Sequence, residues 1–126
     1  IIHFHQEVPK EYQEIRILKM TLQPLIENCI YHGIKVREGN TGDIFVSIRR
    51  EGKCAVLSVS DNGCGFSKNI LSKATNPYFT EEENHSEHFG LGLYICKILC
   101  EHHGGYLKIE NCSIGAKVTA FFKSLD

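Results

Sequence analysis

The sequence predicts a two-layer α/β sandwich, with one mixed sheet and about three helices on one face. Three observations carry this. The 126 residues suffice for one domain with a hydrophobic core. Two long segments, near 21–35 and 90–103, have helical periodicity. The rest reads as strands, in the order strands, helix, strand pair, helix, strand pair. That order lacks the regular βαβ alternation of a doubly wound nucleotide fold.

Residues 1–6 and 14–19 read as short strands joined by a turn around Pro9. In 21–35 the residues Leu22, Leu25, Ile26, Cys29 and Ile30 recur at helical spacing and define a buried face. Gln23, Glu27, Asn28 and Tyr31 occupy the other side. Glycine, Asn and charge make 37–42 a loop. Residues 43–50 and 54–60 alternate and are rich in β-formers, so they form a hairpin about Glu51-Gly52-Lys53. A short helix is expected near 68–74, and 75–89 reads as a mobile loop carrying the acidic run Glu81-Glu82-Glu83. In the second long helix Leu91, Ile95, Ile98, Leu99 and His102 mark the apolar stripe, and Gly104-Gly105 ends it. Strands at 106–111 and 116–123 flank the turn Ser113-Ile114-Gly115.

Composition removes several function classes. The chain is 42% hydrophobic and 23% charged with net charge −1, and its positive charge is scattered. Nothing electrostatic favours nucleic acid or an anionic membrane. No apolar stretch approaches the roughly 18–20 residues of a membrane span, and the start lacks a signal peptide. The first residue is Ile1 and the only methionine is Met20, so the chain is expected to be cut from a longer protein. Six cysteines at irregular spacing, without a CxxC pair, read as free thiols in a reducing cytosol. Cys96, Cys100 and His103 have i, i+4, i+7 spacing, but structural zinc normally draws ligands from more than one element, so the cysteines are read as small buried hydrophobes.

Three segments carry chemistry. Glu27 and Asn28 are adjacent on the polar side of the first long helix, with His32 one turn on. An Asn amide suits magnesium held against phosphates, and a neighbouring carboxylate can orient a water or accept a proton. A solvated polar face accounts for the same pattern. Asp61-Asn62-Gly63-Cys64-Gly65 follows a strand whose face is buried. The carboxylate is an acceptor suited to an exocyclic amine such as adenine's, and the glycines admit a ring close to the backbone. A plain Asx-Gly turn has the same residues. Phe89-Gly90-Leu91-Gly92-Leu93 opens the second long helix, where glycine-flanked amides can cradle phosphate or serve structure alone. Neither a Walker loop nor a dinucleotide fingerprint is present.

Together, in this order and separation, these segments resemble the boxes of the gyrase–chaperone–histidine kinase–mismatch-repair ATPase superfamily. Residues 23–33 look like the N box, closest to sensor kinases of the autolysin-sensor subgroup, whereas the second glycine box with its following helix looks more like the orthodox sensor kinases. Residues 61–65 look like the first glycine box, Asn76-Pro77-Tyr78-Phe79-Thr80 like the F box, and 90–93 like the second glycine box. The resemblance spans nearly the whole chain. It implies a Bergerat-type ATP-binding fold over residues 1–126, the catalytic domain of a bacterial sensor histidine kinase. It further implies an ATP lid over about 66–89.

By that resemblance Asn28 would hold magnesium, with Glu27 as the water-orienting or proton-accepting group beside it. Asp61 would recognise the adenine amine in a pocket shaped by Gly63 and Gly65. His32 and Phe79 would belong to the nucleotide site, and Gly90, Leu91, Gly92 and Leu93 would wrap the phosphates. The γ-phosphoryl would pass to a histidine on a separate dimerisation domain, with a response regulator downstream. None of the seven histidines here is the expected acceptor. The domain is expected to be cytoplasmic, in a membrane-anchored sensor, touching neither membrane nor nucleic acid. Three positions depart from the family pattern: Tyr31 replaces a basic residue, His88 a glycine and Ala116 a threonine. A degenerate nucleotide-binding or interaction module, and an anti-sigma-factor-type serine kinase, are the competing readings.

Overall fold

The computed structural model describes residues 2–13, 16–30, 41–68, 71 and 87–123. Its strands are β1 (Ile2–Glu7), β2 (Gly42–Glu51), β3 (Cys54–Asp61), β4 (Tyr106–Asn111) and β5 (Ala116–Phe122). They form one sheet in the order β1-β2-β3-β5-β4. β1 runs parallel to β2 and the other neighbours are antiparallel, so the sheet is mixed, as expected. A parallel neighbour needs a long crossover, and the segment containing α1 (Arg16–Asn28) supplies it. The second long helix, α2, is Glu87–His102.

One expected strand is absent. Residues 14–19 alternate like a strand, yet Arg16–Lys19 form the start of α1, and residues 14 and 15 lie outside the described set. α1 therefore starts five residues ahead of the expected helix. Within it Thr21, Leu25 and Cys29 are almost fully buried at four-residue spacing, the face of an amphipathic helix. Pro9 is followed by a single 3-10 turn, Lys10–Tyr12, rather than by a hairpin. At its far end α1 passes into a π turn at Cys29 and Ile30, a local widening that recurs at functional sites.

The core lies between the sheet and the helices. β2 contributes Ile44, Val46 and Ile48, β3 Ala55, Leu57 and Val59, and β5 Ala116, Val118, Ala120 and Phe122. The helices answer with Leu25 and Cys29 from α1, and Leu93, Cys96 and Cys100 from α2. A fully buried Leu25 contributes about 1.5–3 kcal/mol relative to exposure. At the helix seam the Cys96 thiol donates to the Thr21 carbonyl at 3.5 Å, and both residues are completely buried.

The buried stripe of α2 is rotated from the expected one. Leu93, Cys96 and Cys100 face the core, while Ile95 is 42% exposed and His102 is exposed. Apolar residues cover much of this helix, so periodicity alone fixes its phase poorly. Burial pushes the Cys96 and Cys100 thiols up to about 12, consistent with their reading as small hydrophobes. The expected helix at 68–74 is represented by helical Lys68 and Leu71, with the Leu71 N–H donating to the Ser67 carbonyl at 3.0 Å; its remaining residues lie outside the described set.

Candidate functional site

Asp61 is the last residue of β3, paired with Ile44 on one side and Ala116 on the other, and it is 5% exposed. One carboxylate oxygen accepts the Gly63 N–H at 2.8 Å, closing an Asx turn. The Ala116 N–H and the Cys29 thiol are its further hydrogen-bonding neighbours. A carboxylate has about four acceptor positions, and the described residues fill three of them. Burial raises the Asp61 carboxyl above the ordinary carboxylate range, opposed by these three donors. Burial also pushes the Cys29 thiol far up, reinforced by the neighbouring Asp61 charge, so Cys29 stays a protonated donor.

The loop after Asp61 is held from both sides. The Asn62 amide donates to Asp43 Oδ2 at 3.0 Å, and Asn62 Oδ1 accepts the Asp43 N–H at 2.8 Å. Asp43 in turn meets His5 Nε2 at 2.9 Å, a contact that holds its carboxyl below the ordinary value. On the other side Asn111, the last residue of β4, pairs with Phe66. Asn111 Oδ1 accepts the Phe66 N–H at 2.7 Å, and Asn111 Nδ2 donates to the Phe66 carbonyl at 2.8 Å.

Two glycines permit this closeness. Gly65 has φ +79°, and a Cβ there would stand 3.0 Å from Asn111 Oδ1. Gly115 has φ +87°, and a Cβ there would stand 1.9 Å from the Asp61 carbonyl oxygen. No side chain fits at that second position without moving the backbone that carries Asp61.

Cys29 brings the N-box helix to the first glycine box, because it neighbours Asn28 in sequence and Asp61 in space. Glu27 is half-buried, and its Oε1 accepts from Gln23 Nε2 at 3.1 Å, one turn earlier. The backbone of Asn28 closes α1, but its side chain lies outside the described set, as do His32 and Phe79. The lid expected at 66–89 falls mostly there too. α2 begins at Glu87, three residues ahead of the expected start. Gly90 and Gly92 are therefore within the helix, whose partnerless first-turn amides are those of 87–90. The Leu93 side chain is 1% exposed in the core, so only its backbone can serve a ligand.

Sequence reasoning passed over Asn111, Asp43 and Cys29 as parts of this site. Asn111 beside the glycine turn 113–115 is the one usable signal, since Asn commonly hydrogen-bonds backbone near turns.

Asp61 is thus a buried carboxylate at a strand end, flanked by glycines and touched by Cys29 at the end of the preceding helix. The family model for histidine kinase-, DNA gyrase B- and HSP90-like ATPases matches residues 13–125. The chain belongs to this ATPase family. Sporulation kinase D of Bacillus subtilis is 31% identical over 111 residues, covering 78% of this chain and 21% of that protein. Sensor protein TdiS of Thauera aromatica is 30% identical over 101 residues, covering 76% of this chain and 18% of that one. The chain thus spans about a fifth of the length of each of these two relatives. Among solved structures, the catalytic domain of histidine kinase ThkA superposes with a TM-score of 0.76 at 25% identity, over 98% of this chain and 80% of that one. A mycobacterial sensor histidine kinase, MprB, shares the fold at a TM-score of 0.68 and 19% identity, over 96% of this chain and 82% of its own. The α/β sandwich is therefore that of histidine kinase catalytic domains.

Proposed function

We propose that this ATPase-family domain binds Mg-ATP and supplies the γ-phosphoryl for phosphorylation of a histidine on a separate dimerisation domain, feeding a response regulator. The observation that carries the reading is Asp61. Asp61 is 5% exposed and its carboxylate is engaged by three donors among the described residues, which leaves one acceptor position for an amine among those residues. Burying a carboxylate costs free energy unless its acceptor positions are filled. An adenine amine fits that position. The purine would lie against the backbone at Gly63 and Gly65; the place of a Gly65 side chain is taken by the Asn111 amide.

Magnesium supplies charge neutralisation at the phosphates when bound. Asn28 is the amide proposed to hold it, following the family resemblance, and Glu27 would orient a water or take a proton. Gln23 supports the second role by fixing the Glu27 carboxylate. The start of α2 suits the phosphates, because partnerless amides and the helix dipole both favour anions. Of segment 90–93 only the Gly90 amide lies in that first turn, and the segment is proposed to contribute through its backbone alone. We place the domain on the cytoplasmic side of a sensor; no described helix is long and apolar enough to cross a membrane.

The test is calorimetric titration of ATP, with and without magnesium, on the wild-type chain, Asp61→Asn and Asn28→Asp. The proposal expects wild type to bind, Asp61→Asn to bind far more weakly, and Asn28→Asp to alter the magnesium dependence. Wild type that takes up no ATP would end the catalytic reading and leave a degenerate module of the same fold.

A further inference from the structure

The wall of the proposed purine pocket is not held by a β-ladder. β3 ends at Asp61; the Asn62 N–H still donates to the Asp43 carbonyl of β2 at 3.3 Å, and the chain then leaves the strands on its way to Phe66. At Phe66 both backbone polar groups are nonetheless satisfied, by a single side chain. Asn111 presents its amide as a strand would, Oδ1 to the N–H at 2.7 Å and Nδ2 to the carbonyl at 2.8 Å. The two residues stand 45 positions apart in the chain. Phe66 itself is 8% exposed and rooted in the core, so its backbone is fixed at one end by packing and at the other by Asn111.

The clamp also sets where the glycines lie. Asn111 Oδ1 sits 3.0 Å from where a Gly65 Cβ would be, and the Gly115 carbonyl oxygen sits 3.2 Å from the same point. The Cys112 N–H donates to that Gly115 carbonyl at 3.0 Å, which ties the Asn111 end of β4 to the glycine that touches Asp61. On the opposite side Asn62 and Asp43 fix the start of the loop. Asn111 thus ties the Phe66 end of this segment to β4, beside the core packing of Phe66 itself.

We infer that Asn111 is a positioning residue for nucleotide recognition: its bidentate amide clamp on Phe66 fixes the Gly63–Gly65 backbone against which the purine packs, and so aligns the base with Asp61. This rests on the adenine-binding reading of Asp61. Asn111 touches no nucleotide in this scheme. Its effect is on how well the base and the Asp61 acceptor meet, so it is read in base selectivity rather than in phosphate affinity.

The experiment compares ATP with inosine triphosphate, which carries a carbonyl in place of the 6-amine, by calorimetric titration of the wild-type chain, Asn111→Ala and Asn111→Asp. Asn111→Ala is expected to weaken ATP about tenfold, the scale of one or two hydrogen bonds, while inosine triphosphate changes little, so that the selectivity ratio falls by about the same factor. Asn111→Asp keeps an acceptor for the Phe66 N–H but loses the donor to its carbonyl, and is expected to fall between the two. It also serves as the readout should Asn111→Ala fail to fold. Variants that melt earlier yet keep the wild-type ratio would overturn the inference and leave Asn111 a structural residue. Wild type that prefers ATP to inosine triphosphate not at all would instead sink the Asp61 reading, and this inference with it.

Discussion

The two ends of β3 use the same residue types for different ends. At the hairpin end Gly52 takes φ +62° in the turn to β2, and a Cβ there would meet nothing within 4 Å. Its neighbours are satisfied locally and in solvent: Arg50 donates to the Gly52 carbonyl at 3.1 Å, and Arg49 pairs with Glu51 at 3.0 Å with both exposed. At the other end Gly115 has a similar φ, +87°, but its missing side chain is what lets it lie on Asp61. The loop there is tied by Asp43, Asn111 and Cys29, from three other elements. A turn glycine answers to its own backbone; a site glycine answers to what must come close to it.

The largest effect expected from this contrast is Gly115→Ala. Strain at positive φ and overlap with the Asp61 carbonyl together cost about 2–5 kcal/mol, and ATP binding should disappear. A melting curve within a degree or two of wild type would show that the site end is as tolerant as the hairpin end, and the comparison would fail. Asp61→Asn comes next, weakening ATP about tenfold to a hundredfold through loss of a charge-assisted hydrogen bond.

The same variant sharpens the comparison through stability. Burial raises the folded-state pKa of Asp61, so the folded protein holds this proton longer than the unfolded chain. The stability so contributed is present below about pH 4 and is lost as pH rises through the raised value. Asp61→Asn avoids that loss, and should melt at or above wild type at neutral pH, with the difference shrinking in acid. Thermal melts across that range check the sign; a deficit that grows toward neutral pH contradicts it.

Smaller effects follow at Cys29 and Gly52. Cys29→Ala removes the thiol donor to Asp61 and should weaken ATP by about threefold to tenfold, whereas Cys29→Ser keeps a donor and should bind nearly as wild type. Equal losses in both variants would reduce Cys29 to a space-filler. Gly52→Ala should cost about 1 kcal/mol in chemical denaturation and leave ATP titrations unchanged. A change in nucleotide affinity at that distance would mean the two ends are coupled through β3.

Most of the layout was legible because it rests on short-range pattern. The hairpin at 43–60 follows from alternation around Glu51-Gly52-Lys53, and the final strand pair from alternation around a glycine turn. Asp61, Gly63 and Gly65 were legible as a group because they are contiguous. The helical start of α1 at Arg16 was not, since 14–19 alternates like a strand. The phase of α2 was misjudged for a related reason. Isoleucine outranks cysteine in hydropathy, yet the close approach of α1 at Thr21 admits Cys96 and turns Ile95 outward.

The sequence by itself determined the two long helices, the hairpin and the final strand pair, and their order, because each depends on residues within a few turns or one strand. Tertiary structure alone decided which donors meet Asp61, why Gly115 admits no side chain, and that Asn111 closes the loop. Those contacts join residues far apart in the chain, such as the 45 positions between Phe66 and Asn111. No local periodicity encodes them; they exist only once the sheet brings the ends of β3, β4 and β5 together.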